Sequence, residues 1–376
     1  MSADAPLVLL AAGGTGGHLF PAEALANALK QRGVAVDLAT DRRAAAYVGQ
    51  FPARSVHVLP SDTVRGRNPL RLALTALVLG YGILRAAFLL LRLRPVAVVG
   101  FGGYPTLPPV LAAWLLRIPR VVHEQNAVMG RANRLLAARA SMIATGYPGM
   151  LSRQPELAIK AVHTGNPVRA TVREAAARAY EEPTDAKPLH LLVFGGSQGA
   201  RIMSEIVPGA IERCATAVRA RIRVVQQCRQ EDIGEVRAIY ARLGVSAELA
   251  VFFNDLPHRI ADSHLVIARS GASTVAELAA IGRPAILVPL PHALDQDQLV
   301  NATALTTAGG ALLIRQDEFT AERLARELSQ LAARPTILAG MAAAARRAGR
   351  LDAAEQLADL VIRVAGIKQM GQNSPA

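Results

Sequence analysis

The sequence predicts an α/β fold made of two doubly wound halves, each a parallel sheet flanked by helices. Apolar strands alternate with helical segments along all 376 residues, a chain too long for one small core. LLAAGGTGGH near the start returns as LLVFGGSQGA past the middle. Each is an apolar strand running into a glycine-rich turn, so the device that opens a doubly wound domain is used twice. The stretch from His264 to Asn301 reads strand, loop, helix, strand, loop, helix. That is the repeat of a parallel sheet, whose ligands lie beyond the carboxyl ends of its strands.

Taken in order, Leu7–Ala12 is the first strand, continuously apolar as a strand buried on both faces should be. No basic segment precedes it, so it is read as a strand and not as a signal peptide. A helix is expected from about Pro21, well placed for a first turn, to Arg32, with Gly33 ending it. Val34–Ala39 and His57–Leu59 are the next strands. Leu70–Leu93 is apolar apart from Arg71, Arg85 and Arg92, and its longest uncharged run, Leu72–Leu84, is 13 residues. A spanning helix needs roughly 20. Gly80 and Gly82 weaken one long helix, which leaves three readings: a spanning helix, a buried helix pair, or a pair whose outer face dips into a bilayer interface with arginines at the headgroups. Val96–Val99, Arg120–His123 and Met142–Ala144 complete the strands expected in this half. Gly165-Asn166-Pro167 is turn chemistry, and the polar run Tyr180–Pro188 is a natural boundary.

The second half supplies strands at His190–Phe194, Val224–Gln227, Leu249–Phe252, His264–Ala268 and Ala285–Val288. Ser273 or Thr274 is placed to cap the helix after Ala268, and Gly282 with Pro284 stops it. Ala321–Leu331 and Leu351–Val364 are helical. The tail from Gly366 has no apolar periodicity and is expected to be disordered.

Charge narrows the partners. Of the net +13, a charge of +11 falls between residues 63 and 155, which hold twelve Arg and one acidic residue, Glu124. A basic face of that size fits nucleic acid or an anionic membrane. Only Tyr81 and Phe88 offer the aromatic interleaving that stacks bases, so an anionic membrane surface met through residues 65–94 is expected, and no nucleic acid. Cys214 and Cys228 support neither a disulfide framework nor a zinc site.

Three glycine-rich loops, at Gly13–His18, Gly100–Tyr104 and Gly195–Ala200, each follow a strand. Glycine lets backbone N–H groups approach phosphate closely. None of the loops is a dinucleotide fingerprint, since Leu19 stands where the third glycine belongs, and no Walker pattern occurs. After His264–Ala268 comes Arg269 with small hydroxyls; after Ala285–Val288 come Asp295, Gln296, Asp297 and Gln298. A helix N-terminus beside an Arg favours phosphate, while a carboxylate and amides favour sugar hydroxyls. A nucleotide sugar needs both.

Six motifs occur in order: Gly13-Gly14-Thr15-Gly16-Gly17-His18, Gly100-Phe101-Gly102-Gly103-Tyr104, His123-Glu124-Gln125-Asn126, Thr164-Gly165-Asn166-Pro167-Val168-Arg169, Gly195-Gly196-Ser197-Gln198-Gly199-Ala200, and Arg269-Ser270-Gly271-Ala272-Ser273-Thr274-Val275-Ala276-Glu277. Over residues 7–365 the chain resembles the MurG family of glycosyltransferase family 28, peptidoglycan N-acetylglucosaminyltransferases that convert lipid I to lipid II. The resemblance implies a GT-B fold, two Rossmann-like domains separated by a cleft. Residues 1–166 would form the acceptor- and membrane-binding domain, 167–350 the UDP-N-acetylglucosamine domain, and 351–365 a helix crossing back to the first domain, with 366–376 a tail. It implies that Thr15, Gly16, Gly17, Asn126 and Arg169 meet the donor from the N-terminal side and that Ser197 faces the diphosphate. Backbone groups at Phe253 would read the uracil. Ala272, Ser273, Thr274, Val275, Ala276 and Glu277 would hold phosphate and ribose, with Glu277 accepting from ribose hydroxyls, and Gln298 would bind the sugar. Asp297 departs from the Gln or His common there.

Blander roles stand beside these. Thr274 and Glu277 have capping-box spacing, Ser197 fits a turn or N-cap, and a lone His18 is often a loop histidine. Asp295-Gln296-Asp297 spells D-x-D, but residues 289–294 separate it from its strand, so a divalent cation is admitted and no tight metal site is predicted. No obligate cofactor is implied. Single-displacement inversion needs a base on the acceptor hydroxyl and stabilisation of the leaving diphosphate. His18 is the candidate base; the helix N-terminus near Thr274, the loop at Ser197, and Arg169 or Arg269 are candidates for the second task. The resemblance places the protein on the cytoplasmic face of the bacterial inner membrane, with lipid I as acceptor and other cell-wall synthesis and division proteins as further partners. The alternatives are another GT-B enzyme acting on a different glycolipid, a UDP-N-acetylglucosamine epimerase, or a non-catalytic nucleic-acid-binding protein. An epimerase has no use for an interfacial face.

Overall fold

The computed structural model describes residues 5–14, 16–45, 49, 51–61, 69–184, 187–196 and 199–368. The chain divides into two compact units, Met1–Arg169 with Asp352–Ala376, and Ala170–Leu351.

Unit 1 runs β1 (Leu7–Ala11), α1 (Gly16–Gln31), β2 (Ala35–Thr40), α2 (Arg42–Ala45), β3 (Val56–Val58), α3 (Pro69–Leu93), β4 (Ala97–Gly100), α4 (Leu107–Leu115), β5 (Arg120–Glu124), α5 (Arg131–Ala137), β6 (Met142–Thr145), α6 (Pro155–Ala158) and β7 (Ala161–His163). Its sheet is parallel, in the order β3-β2-β1-β4-β5-β6-β7. The order reverses between β1 and β4, so the loops at Gly13–His18 and Gly100–Tyr104 flank the switch point where such sheets bind ligands. β7 was not expected: a three-residue edge strand is too short to carry a pattern of its own.

Two expectations for this unit change. Helix α1 starts at Gly16 and not near Pro21, which puts Gly16, Gly17 and His18 in its first turn. Pro21 then lies inside the helix and withholds the donor that the Gly17 carbonyl would receive. Residues 69–93 form one helix of 25 residues in place of a helix pair. Gly82 explains why a glycine is tolerated there: a Cβ on it would lie 2.3 Å from the Pro60 carbonyl oxygen, so the position is a close crossing and not a break. Helix α3 packs along α4 and buries Gly82, Ala86 and Leu90. Its other face exposes Leu74, Leu77, Tyr81, Leu84, Phe88 and Leu91, spaced three and four apart.

Unit 2 runs α7 (Ala170–Ala176), β8 (Leu189–Phe194), α8 (Arg201–Arg213), α9 (Thr216–Arg221), β9 (Ile222–Gln227), α10 (Ile233–Arg242), β10 (Ser246–Ala250), α11 (Leu256–Ala261), β11 (Leu265–Ala268), α12 (Ala272–Ile281), β12 (Ala285–Leu287), α13 (Asp297–Thr307), β13 (Ala311–Leu313), α14 (Ala321–Ala332) and α15 (Pro335–Ala348). The parallel order β10-β9-β8-β11-β12-β13 places its switch point between the Gly195 loop and the Arg269 loop. Strand β10 ends at Ala250, so Val251 and Phe252 lie beyond the strand expected to include them. Helix α12 ends as the sequence implies: Gly282 is left-handed (φ 72°), and the N–H groups of Gly282 and Arg283 bond back to the last turn.

The last helix, α16 (Ala353–Ala365), belongs to unit 1. It buries Leu357, Leu360 and Val361 in the core shared by β1 and α1, and Asp359 pairs with Arg32 at 3.0 Å. Gly366 caps it in left-handed geometry; of the tail expected to be disordered, 369–376 lie outside the described residues.

Candidate active site

In unit 1 the carboxyl ends of β1, β4 and β5 bring three of the motifs together. The Gly14 N–H donates to Asp41 Oδ1 at 3.3 Å, fixing the turn that leads to α1. His18 packs against the second glycine loop, where a Cβ on Gly102 would come 3.4 Å from its Nε2 and one on Gly103 3.4 Å from its Cε1. The residue is only partly exposed, and its Nδ1 is buried with no hydrogen-bond partner among the described residues. Desolvation lowers the imidazole pKa, opposed by a hydrogen bond to the Gly13 backbone. The ring is therefore neutral at pH 7. Thr15, expected beside it, lies outside the described residues.

Behind this loop, the His123–Asn126 motif is a closed polar network. Glu124, buried, accepts from the Asn126 N–H (2.9 Å), Asn126 Nδ2 (3.2 Å), the Gly130 N–H (2.9 Å) and Asn133 Nδ2 (2.8 Å). Burial pushes its pKa up against those donors. His123 Nε2–H donates to the Gly165 carbonyl at 3.1 Å and its Nδ1 accepts from Gln125 Nε2 at 3.0 Å. Its pKa falls to about 4 through burial, so that tautomer stays neutral. Asn166 Nδ2 reaches the Gln125 carbonyl at 2.8 Å, tying the 165–167 turn to the same loop. Arg169, the last residue of the first segment of unit 1, stacks on Phe20 with Cζ 3.9 Å from the ring centroid.

In unit 2 the first site element is the loop that opens at Gly195 and Gly196, which Gln227 braces. Gln227 Oε1 accepts from the Gly195 N–H at 3.0 Å, while its Nε2 donates to the carbonyls of Gly196 (2.9 Å) and Val251 (3.1 Å). Ser197 lies outside the described residues. Phe253 is buried under the Arg259 guanidinium, 4.3 Å from its ring centroid, and Asp255 and Glu248 hold Arg259 in place.

Helix α12 supplies the second. Its N-cap is Gly271, and no side chain caps it. The expected caps at Ser273 and Thr274 are thereby corrected: both sit inside the first turn, and Val275 N–H makes the first helical bond, to the Gly271 carbonyl. Thr274 is third in the helix, so it cannot form a capping box with Glu277, which is buried one turn further on. Ser273 Oγ is buried without a hydrogen-bond partner among the described residues. An uncapped helix N-terminus at a switch point is an anion site in waiting.

The loops around it are braced from within. Arg269 donates to the carbonyls of Val288 and Pro289 (both 3.1 Å) and to Gln316 Oε1 (2.6 Å), so its guanidinium is committed to shaping the loop. Ser270 Oγ donates to the Gln298 carbonyl at 2.8 Å, and Gln298 Oε1 accepts from the Leu290 N–H at 3.0 Å. Asp295 (φ 57°) and Gln296 (φ 55°) are both left-handed, a strained pair at the mouth of α13. Asp297 Oδ1 is taken by the Gln298 N–H at 2.7 Å. Among the described residues no three His, Cys, Asp or Glu side chains form a metal-binding group.

Sequence reasoning missed Asp41, Phe20, Gln227 and Gln316. Only Gln227 left a signal, a polar residue at the carboxyl end of an otherwise apolar strand. The others meet their partners through tertiary packing.

Comparison with known proteins agrees with this fold. The glycosyltransferase family 28 N-terminal domain matches residues 8–145 and the family 28 C-terminal domain residues 190–357. A Rhodopseudomonas palustris (strain BisB18) protein is 62% identical over 363 residues, covering 96% of this chain and 97% of its own. A Bradyrhizobium sp. (strain BTAi1) protein is 59% identical over 367 residues, covering 98% and 100%. Both are named UDP-N-acetylglucosamine–N-acetylmuramyl-(pentapeptide) pyrophosphoryl-undecaprenol N-acetylglucosamine transferase. The crystal structure of Acinetobacter baumannii MurG superposes with a TM-score of 0.78 at 29% identity, over 95% of this chain and 99% of that one. A UDP-GlcNAc 2-epimerase from Neisseria meningitidis shares the fold (TM-score 0.64, 95% and 100% covered) at only 14% identity. With both family 28 domains present and such relatives along nearly its whole length, the chain belongs to the MurG family of glycosyltransferase family 28.

Proposed function

We propose that this protein moves N-acetylglucosamine from UDP-N-acetylglucosamine to the 4-hydroxyl of N-acetylmuramyl-pentapeptide on undecaprenyl diphosphate, with inversion, turning lipid I into lipid II. The observation that carries this reading is the uncapped N-terminus of α12 beside a glycine turn, with the Glu277 carboxylate buried one turn behind it. Phosphate suits the helix N-terminus and ribose hydroxyls suit the carboxylate. The donor is assigned to Ser197, Phe253, Ala272–Glu277 and Gln298 in unit 2, and to Thr15, Gly16, Gly17, Asn126 and Arg169 in unit 1. Departure of UDP places negative charge on the diphosphate. The backbone N–H groups of Ala272 and Ser273 are candidates to stabilise it, with the Arg169 guanidinium as a further candidate. His18 is the candidate base that takes the proton of the attacking hydroxyl. The test is UDP release from UDP-N-acetylglucosamine with and without a lipid I analogue; release that ignores the acceptor overturns the reading.

The protein is further read as a peripheral enzyme of the cytoplasmic face of the inner membrane. Helix α3 is long and apolar enough to cross a bilayer by length and composition. One face of it, however, is packed on α4, while Leu77 (71% exposed), Leu84 (71%) and Phe88 (68%) face outward beside the exposed Arg85 and Arg92. A helix lying in the interface fits both faces. Of the basic residues expected to flank it, Arg65 and Arg67 lie outside the described residues. Replacing Leu77, Leu84 and Phe88 with Ser is expected to abolish the salt-resistant part of binding to anionic vesicles. UDP release to a water-soluble acceptor should survive. Sedimentation across a salt series measures the first, and an unchanged salt-resistant fraction overturns the assignment.

A further inference from the structure

Gln227 is a buried amide at the carboxyl end of β9, and the order β10-β9-β8 puts the exits of both flanking strands within its reach. On one side β8 runs into Gly195 and Gly196, the loop to which the diphosphate is assigned. On the other β10 runs into Val251 and Phe253, the segment to which the uracil is assigned. One side chain holds both. Its Oε1 accepts from the Gly195 N–H (3.0 Å), and its Nε2 donates to the carbonyls of Gly196 (2.9 Å) and Val251 (3.1 Å). Only one orientation of the amide satisfies all three bonds, so neither a carboxylate nor an apolar chain of the same size can replace it.

The sheet does not need this side chain. Pairing of β9 with β10 already closes through the Cys228 N–H on the Ala250 carbonyl at 3.0 Å, and an apolar residue serves a buried parallel strand at least as well. Gln226, next along the strand, shows the structural use of a buried amide. Its Oε1 accepts from the Tyr240 hydroxyl (2.7 Å) and its Nε2 donates to the Met203 carbonyl (3.4 Å), both inside the core. Gln227 instead bonds to the backbone of two site loops. Its effect at Gly196 bears directly on an anion, because a carbonyl turned towards phosphate oxygens repels them. The Gly196 carbonyl is kept by Gln227 Nε2 and by the Gly199 N–H (3.1 Å), in a turn that glycine makes accessible with φ 93°. The Val251 carbonyl is fixed by the same NH2 group, so moving either loop strains the bond that holds the other.

We propose that Gln227 is a positioning residue that couples the diphosphate loop to the uracil segment, so that the base and the phosphates of the donor bind cooperatively. The proposal rests on the donor assignment to Ser197 and Phe253. Gln227→Glu keeps the size and the acceptor for Gly195 but sets an oxygen against two carbonyls; Gln227→Met removes all three bonds. In both, KM for UDP-N-acetylglucosamine is expected to rise about tenfold or more, while KM for a lipid I analogue stays within about twofold. Gln226→Leu is the comparison: it should lower the melting temperature and leave the donor KM alone. Amide hydrogen exchange of the parent protein tests the coupling without any substitution, and decides it even where a variant fails to fold. Uridine, which carries no phosphate, should slow exchange at residues 195–200 as well as at 251–253. Slowing confined to 251–253 overturns the coupling. So does a donor KM equal to the parent's in both folded variants, whatever happens to their melting temperature. If neither uridine nor UDP slows exchange at 251–253, the donor assignment itself fails and the coupling with it.

Discussion

Replacing His18 with Ala is expected to lower the turnover rate by about 10²–10⁴-fold, the usual contribution of a general base, while leaving donor affinity nearly intact. The environment supports the assignment. The imidazole sits in the first turn of α1 against Gly102 and Gly103, with Nδ1 buried and unpartnered, which is costly unless a ligand completes it. Burial lowers its pKa below the ordinary 6.5. A base must be unprotonated, so activity is present above the folded-state pKa and lost as pH falls through it. The acid limb of the rate profile therefore belongs below pH 6.5 in the parent protein and should disappear in the Ala variant. The same shift ties pH to stability. The unfolded chain binds a proton on this histidine below about 6.5 and the folded chain resists it, so stability falls as pH drops from there. A His18→Ala variant with normal turnover removes the residue from the mechanism.

Glu277→Gln is expected to weaken use of UDP-N-acetylglucosamine by roughly 10-fold or more, on the order of 1.4 kcal/mol, with the melting temperature held. The capping role that competed with ribose binding is excluded by the helix boundary: α12 begins at Ala272, three residues too early for Thr274 and Glu277 to close it. A buried carboxylate one turn inside a helix has no such local task. Gln keeps its shape and one acceptor oxygen but loses the charge that strengthens hydrogen bonds from two ribose hydroxyls. The loss should appear in KM for the donor and leave KM for the acceptor alone. Donor kinetics equal to the parent's would exclude the ribose contact.

Much of this protein was legible in the residues themselves. Period and punctuation gave the α/β class, the two-fold restart at Leu9 and Leu191, the helix stop at Gly282, and the glycine turns that fall at both switch points. These are local signals: a buried parallel strand must be apolar along its length, and only glycine takes a left-handed turn cheaply.

What sequence alone misjudged depends on neighbours distant along the chain. Gly80 and Gly82 read as helix breakers until Pro60 is seen against Gly82, where no side chain fits. Pro21 reads as a helix start, yet the helix begins five residues earlier at Gly16. β7 and β13, three residues each, exist because a partner strand supplies their hydrogen bonds. Arg269 looks like a phosphate ligand in sequence; only the tertiary structure shows that it also braces the loop, through the carbonyls of Val288 and Pro289. Composition concentrated the positive charge between residues 63 and 155; tertiary structure decided that Arg85 and Arg92 stand exposed beside the outward face of α3. Charge, propensity and turn chemistry are properties of a residue and its near neighbours, whereas burial and hydrogen-bond partners are fixed only when the chain closes on itself.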